Sequence, residues 1–231
     1  MSGFSRRGFL TGAAASTSAF VLAGCTDRGS SPDAQAQNRP ALADALVVFD
    51  GEHQAGIATA EQAHLNLVGF DLKRGVDKRE FANLMKLWTE DARALCTGEA
   101  PLGTLEPEMV QHPANLTITC GLGEEVFNLL GVDKPQWLKD VRSFKRDALE
   151  PKWGQSDIVL QICCDDPLMN TYALRHMVRA GEHYASVKWL QQGFINAYGS
   201  QEKGATARNM FGQKDGTVNP RSEEDFAEQV W

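Results

Sequence analysis

The order of strand-like and helix-like segments between residues 64 and 194 most limits how this chain can fold. The segment "HLNLVGFDLK" at 64–73 alternates two sets of side chains with a period of two, which is typical of a strand. Asp77 and Glu80 then have the spacing of a capping box, and apolar residues from 81 to 95 recur at helical spacing. The pattern predicts a strand at 64–73 and a helix at 77–96.

Four further segments complete this order. Two strands are predicted at "NLTITC" (115–120), which is rich in β-branched residues, and at the apolar "DIVLQICC" (157–164). Asp166 is an N-cap before a helix at 167–181 that begins with proline, and "SVKWLQQGF" (186–194) is the last strand. The order strand, helix, strand, strand, helix, strand predicts an α+β fold of the ferredoxin-like (βαββαβ) type, with both helices on one face of an antiparallel sheet.

The domain organisation follows from these elements. We predict a ferredoxin-like domain over 44–198, in which residues 121–156 form an insertion between the two middle strands. Residues 200–220 are polar and glycine-rich and have neither a helical nor a strand period. We therefore expect residues 199–231 to contain a loop and the start of a second, truncated domain.

Residues 1–25 have the composition of an export signal. The run "SRRGFL" is followed by a small-residue, apolar stretch too short to span a membrane, and no acidic residue occurs before position 25. The paired arginines before Phe-Leu resemble a twin-arginine signal, with an ordinary secretory signal as the alternative. We expect export by the twin-arginine route to the periplasm or the cell surface.

A lipid anchor is a second expectation for this region. "LAGC" at 22–25 resembles a lipobox, in which cleavage leaves Cys25 as an acylated N-terminus. The alternative is cleavage after Ala36, which leaves no lipid. Residues 26–43 are rich in Ser, Pro, Gln and Ala, and this composition predicts a flexible linker. The membrane is therefore expected as a partner only through Cys25.

Charge and cysteine spacing exclude other classes of function. The net charge of −7 and the lack of a basic stripe argue against nucleic acid as a partner. Beyond the signal, no apolar run is long enough to span a bilayer. The cysteines at 96, 120, 163 and 164 form no C-x-x-C pair and have no nearby histidine, so their spacing does not match a metal site. Buried thiols are expected, and disulfide pairing is left open.

The stretch "MFGQKDGTVNP" at 210–220 has two interpretations. Lys-Asp-Gly and Asn-Pro are ordinary turn sequences. The same residues, however, resemble the G-x-x-D-G signature of dye-decolorizing peroxidases and the Thr and Asn-Pro that follow it. "FDGEHQAGI" at 49–57 resembles the N-terminal strand motif of that family. Together with the signal and the predicted fold, these motifs make the chain similar to the N-terminal portion of the exported deferrochelatase/peroxidase branch over residues 45–220.

The resemblance implies a cofactor, partners and site residues. The cofactor would be heme b, and the partners would be hydrogen peroxide and small-molecule reductants such as dyes or phenols; a homo-oligomer is left open. Asp215 would be the distal acid–base, because a carboxylate within reach of bound peroxide can move its proton. Gly216, Thr217 and Val218 would line the haem, and Arg208 is a candidate for contact with a propionate. The fold would be the first half of a dimeric α+β barrel.

One part of the family pattern is not matched in this chain. The resemblance places the proximal histidine and the distal arginine beyond the signature, and after Pro220 the sequence has Arg221 and no histidine. No metal ligand is therefore expected among the residues given. Two classes of function follow: a haem peroxidase, or a truncated, non-catalytic module that handles haem or binds a partner in an iron-uptake system. Release of iron from haem is a third activity of the same branch.

Overall fold

The four predicted strands form a single antiparallel sheet. The computed structural model describes residues 41–202 and 204–231. It places β1 (His64–Leu72), β2 (Thr117–Leu122), β3 (Ile158–Cys164) and β4 (Ala185–Phe194) in the order β2-β3-β1-β4. All three neighbouring pairs are antiparallel, and β1 carries a bulge between Gly69 and Phe70 opposite β4. The predicted ferredoxin-like α+β fold is confirmed.

The helices begin and end where their capping residues predict. The described α-helices are α1 (Lys78–Thr97), α2 (Glu124–Leu130), α3 (Pro167–Gly181) and α4 (Glu223–Gln229). The Asp77 carboxylate accepts hydrogen bonds from the amides of Arg79 and Glu80, and Gly98 ends α1 in the left-handed conformation. At α3, the Asp166 carboxylate accepts from the amide of Met169 at 2.8 Å. The existence of α4 was not predicted.

The core lies between the sheet and one helical layer. The alternate residues of β3 that face this layer are buried, namely Ile158, Leu160, Ile162 and Cys164. Trp88 of α1 packs 5.1 Å from the ring of Phe70 on β1, and its indole N–H donates to the carbonyl of Met177 on α3 at 2.9 Å. Because one side chain contacts β1 and both helices, α1 and α3 lie on the same face of the sheet, as predicted.

The opposite face of the sheet is covered only in part. Residues 54–62 cross it: the side chain of Gln161 donates to the carbonyl of Gly56, and Thr119 donates to that of Ala55. The side-chain amide of Gln54 bonds both the N–H and the C=O of Cys120 on the outer edge of β2. Residues 49–57 form no strand, so the strand expected from this motif is not present, and the side chain of Gln54 bonds the free edge of β2 instead.

The remaining segments are largely irregular. The insertion contains α2 and a 3₁₀ turn at Pro151–Trp153. Two more 3₁₀ turns are Leu42–Asp44, at the end of the predicted linker, and Pro107–Val110. Within the described residues, no helix is both long and apolar enough to cross a membrane.

Several predictions are not addressed by the described residues. Residues 1–40 lie outside them, and these contain the export signal (1–25), Cys25 and most of the linker (26–43). The domain boundaries at 44–198 and 199–231 also stay predictions.

Candidate functional site

Asp215 lies on a short hairpin that follows the sheet. Arg208 and Lys214 form an antiparallel bridge, the amide of Asp215 donates to the carbonyl of Ala207 at 3.0 Å, and the amide of Asn209 donates to that of Gln213 at 2.9 Å. These bonds pair the residues before the turn with those after it. Asp215 is thus placed by backbone pairing just beyond a tight turn at 209–213.

The tight turn is closed by its own side chains. The Asn209 side-chain oxygen accepts from the amides of Phe211 at 3.0 Å and Gln213 at 3.1 Å. Gly212 has a φ of +82°, a conformation that glycine adopts without strain, and its carbonyl accepts from the Arg208 guanidinium at 2.7 Å. The guanidinium of Arg208, predicted as a contact for a haem propionate, therefore bonds the loop's own backbone.

A second turn follows Asp215 directly. Gly216 has a φ of +84°, and a Cβ built there would lie 2.8 Å from the side-chain nitrogen of Asn219. Arg221 connects this turn to the start of the loop, because its guanidinium donates to the carbonyl of Gly204 at 3.3 Å and the hydroxyl of Thr206 at 3.1 Å. Only glycine meets both requirements at position 216, the positive φ and the lack of a Cβ.

Asp215 borders an open cavity of about 350 Å³. One wall is formed by Phe194, Ile195 and Asn196, at the end of β4, and the other by residues 207–210 and Asp215. The Asp215 side chain is exposed. Asp215 is therefore accessible to a small molecule that enters this cavity.

Three apolar side chains of the loop that carries Asp215 are exposed to solvent. Met210 is 89% exposed, Phe211 is 92% exposed and Val218 is 89% exposed. Apolar groups concentrated at one exposed place mark a binding surface. The predicted haem-lining residues Gly216, Thr217 and Val218 all lie on this loop, with Thr217 and Val218 exposed. The exposed apolar side chains and the glycine turn suit an apolar ligand, and that this ligand is haem stays a prediction.

The histidines lie elsewhere. His53 stacks on Trp231 with ring centroids 3.5 Å apart, His176 bonds Asp91 inside the core, and His183 packs edge-on against Tyr184. His112 borders a different cavity, beside Glu108 and Asp166, and His64 begins β1. None of the five borders the Asp215 cavity, and the described residues contain no group of three or more potential metal-ligating side chains.

The cysteine thiols are not placed for chemistry. Cys96 and Cys164 are buried, and burial raises the pKa of each thiol from 9.0 to about 12. Burial likewise raises the pKa of Cys120 and of Cys163 to about 11. Because the thiolate is the nucleophile, the raised pKa values keep these thiols in their less reactive, protonated form near neutral pH. Cys96 and Cys164 are buried as expected, whereas Cys120 and Cys163 are half-buried.

Two residues of the loop were missed by the sequence analysis. Asn209 and Arg221 make most of the side-chain bonds that shape it, as described above. An asparagine three positions before a glycine is a signal for a turn bonded by the asparagine side chain, and it would have pointed to Asn209. No local pattern identifies Arg221, because its partners lie up to 17 positions away.

Comparison with known proteins gives the family. The family described as "Dyp-type peroxidase, N-terminal" matches residues 54–195. A deferrochelatase of Escherichia coli (strain K12) is 34% identical over 217 residues, which covers 87% of this chain and 49% of the relative. The chain belongs to the Dyp-type peroxidase family, and it spans about half the length of the curated relatives it matches.

Solved structures agree with this assignment. A DyP-type peroxidase from Cellulomonas bogoriensis has 35% identity and a TM-score of 0.79, covering 83% of this chain and 54% of that one. One from Streptomyces coelicolor has 36% identity and a TM-score of 0.75, covering 80% and 51%. The resemblance predicted from the sequence motifs is confirmed. The family match ends at residue 195, so the role of Asp215 stays a prediction.

Proposed function

We propose that this chain forms the distal side of a haem peroxidase that uses hydrogen peroxide to oxidise dyes or phenolic reductants. One observation carries the proposal: an exposed carboxylate, Asp215, lies on a glycine-flanked hairpin at the border of an open cavity and beside uncovered apolar side chains. Membership of the Dyp-type peroxidase family supports it. The peroxidase activity is proposed for a protein of full family length, of which this chain spans about half.

Heme b is the proposed cofactor, and the Asp215 loop would contact one face of it. Gly216 would let the backbone approach the cofactor because it has no Cβ, while the exposed side chains of Thr217 and Val218 would contact it. Burying Val218, Met210 and Phe211 against a porphyrin would remove their apolar surface from water, which favours binding. When bound, the haem iron supplies the redox chemistry that reduces peroxide and oxidises the reductant.

Asp215 would act as a general acid–base. A carboxylate oxygen of Asp215 would accept the proton from one oxygen of hydrogen peroxide and return it to the other, so that the O–O bond breaks and the second oxygen leaves as water; the bound haem would take up the first oxygen and supply the two electrons. This transfer requires the carboxylate to stay within hydrogen-bond distance of both oxygens. Its position at the border of an open cavity leaves room for a molecule as small as peroxide.

The iron ligand is proposed to come from outside the residues given. The family resemblance places the proximal histidine beyond the Asp215 motif, where the residues given contain none, and the chain spans about half the length of its curated relatives. The proximal histidine and the distal arginine of the family are therefore assigned to the region of the relatives that this chain does not cover. We also propose export by the twin-arginine route and a lipid on Cys25.

A second candidate activity is release of iron from haem. The observation that favours it is the name of the curated relatives, which are deferrochelatases. Product analysis separates the two activities: iron release leaves a metal-free porphyrin, whereas peroxidation consumes peroxide and leaves the haem intact.

The decisive experiment replaces Asp215 in a haem-loaded protein extended to the length of the relatives. Asp215→Asn is nearly isosteric but does not accept the proton, so we expect the reaction with peroxide to slow by about 10²–10⁴-fold. Haem affinity should be unchanged, because the turn and the apolar side chains remain. Stopped-flow absorbance measures the reaction, and a haem titration measures binding.

The matched control is Asp133→Asn, which makes the same change of charge on an exposed residue of the insertion. Its reaction with peroxide should equal that of the unmodified protein. A normal rate in Asp215→Asn would reduce the hairpin to a structural turn.

A further inference from the structure

Asn209 lies at the centre of the turn that carries Asp215. Its side-chain oxygen accepts hydrogen bonds from the amides of Phe211 at 3.0 Å and Gln213 at 3.1 Å. Its backbone carbonyl accepts from the amide of Gly212 at 2.9 Å, and its own amide donates to the carbonyl of Gln213 at 2.9 Å. Asn209 thus makes four hydrogen bonds to residues 211, 212 and 213.

The turn has little else to hold its shape. Asn209 is half-buried, whereas residues 210–215 are exposed, and the side chains of Met210 and Phe211 are almost wholly in solvent. Ordering each backbone residue costs roughly 1–2 kcal/mol, and buried apolar contacts do not offset that cost here. The hydrogen bonds of Asn209 offset this entropy cost, together with the bond from Arg208 to the carbonyl of Gly212.

Backbone pairing connects the 209–213 turn to the position of Asp215. The bridge between Arg208 and Lys214 lies between the Asn209–Gln213 bond and the bond from the Asp215 amide to Ala207. If the turn opens at Asn209, the backbone segment 213–215 is therefore less restrained, and Asp215 moves with it. A carboxylate that must reach both oxygens of peroxide loses rate when its position varies by about an ångström.

We propose that Asn209 is the positioning residue for Asp215. Its side-chain oxygen closes the 209–213 turn, keeps the two arms of the hairpin in register and so holds the Asp215 carboxylate at the cavity. This role rests on the proposed function, because the position of Asp215 affects the reaction only if Asp215 transfers the proton. The turn itself is formed by this chain without haem.

The first test uses the 231-residue chain without haem and measures amide hydrogen exchange by NMR. Asn209→Ala removes the acceptor, so the amides of Phe211 and Gln213 should exchange roughly 3- to 10-fold faster. Asn209→Asp keeps an acceptor oxygen at the same place and should retain most of the protection. Amides in α1 report whether the fold is intact. Unchanged exchange at both amides in Asn209→Ala would overturn the proposal.

The second test uses the haem-loaded protein of full family length. Asn209→Ala should slow the reaction with peroxide roughly 10- to 100-fold without weakening haem binding, and Asn209→Asp should restore most of the rate. Asp215→Asn is measured in parallel. If Asp215→Asn reacts slowly and Asn209→Ala reacts normally, the positioning role is wrong and the proposed function stands. If Asp215→Asn reacts normally, both are wrong.

Discussion

His176 and Asp91 form a buried polar pair that joins α3 to α1. The Nε2 atom of His176 lies 2.9 Å from a carboxylate oxygen of Asp91, and the two side chains are 3% and 5% exposed. The Nδ1 atom of His176 is buried and has no hydrogen-bond partner among the described residues. The contacts of His176 are therefore those of a structural residue.

Removing one partner of this pair should lower the free energy of unfolding more than removing both partners. His176→Leu leaves the Asp91 carboxylate buried without a donor, and we expect a loss of about 3–5 kcal/mol in the free energy of unfolding. The double variant His176→Leu with Asp91→Leu replaces both polar groups by apolar ones and should lose less than the single variant. Urea denaturation at pH 7 measures both. A double variant less stable than His176→Leu would contradict this account.

The buried thiol of Cys96 should make stability fall at alkaline pH. Burial raises its pKa from 9.0 to about 12, so the folded protein keeps a proton that the unfolded chain releases. This contribution is fully present below pH 9 and is lost as the pH rises from 9 towards 12, by up to about 1.4 kcal/mol per pH unit. Urea denaturation from pH 7 to pH 10.5 should therefore show a shallower decline for Cys96→Ala. Parallel curves above pH 9 would refute the assignment.

At the scale of elements, the start of α1 depends on Asp77, the residue immediately before the helix. The Asp77 carboxylate accepts from the amides of Arg79 and Glu80, each at 2.9 Å, and the Glu80 carboxylate accepts from the amide of Asp77. Helix amides that lose such a partner have no replacement within the helix. The capping box therefore sets where α1 begins.

Replacing the cap tests this dependence. Asp77→Ala removes the acceptor and should lower the free energy of unfolding by about 0.5–2 kcal/mol, because two amides lose their partner. Asp77→Ser retains an acceptor oxygen and is the matched control, with most of the stability kept. Thermal and urea denaturation measure both variants. Equal stability of the alanine and serine variants would show that the side-chain bond contributes nothing.

At the scale of the whole molecule, the sheet has two unequal faces. The helical layer buries one face, whereas Leu67, Val159 and Trp189 on the other are only partly covered and border a cavity of about 620 Å³ under the insertion. The predicted arrangement as the first half of a dimeric α+β barrel would cover this face with a second sheet. It stays a prediction.

Export is the second property of the whole molecule that the sequence predicts. Replacing Arg6 and Arg7 by lysine keeps the charge but removes the arginine pair, and we expect the precursor to stay in the cytoplasm. Cell fractionation measures this. The mass of the exported form should also show a lipidated Cys25. Normal export of the lysine variant would exclude the twin-arginine route, and an unmodified N-terminus near Gln37 would exclude the lipid alone.

The sequence by itself determined the elements whose signals are local. The capping box at Asp77, the proline after Asp166 and the period of two in β1 each act within a few residues, and they predicted the ends of these elements to within about two positions. The order of the elements then predicted the sheet, since few arrangements of βαββαβ bury both helices on one antiparallel sheet. The Lys-Asp-Gly and Asn-Pro sequences likewise indicated turns beside Asp215.

Only the tertiary structure decided the contacts between distant residues. Asp91 and His176 are 85 positions apart, and Gln54 is 66 positions from the β2 residue whose backbone it bonds. His53 stacks on Trp231 because the packing of the chain brings α4 beside residues 47–59. No period or spacing encodes such pairs, because each depends on where the sheet and its loops place two side chains in space.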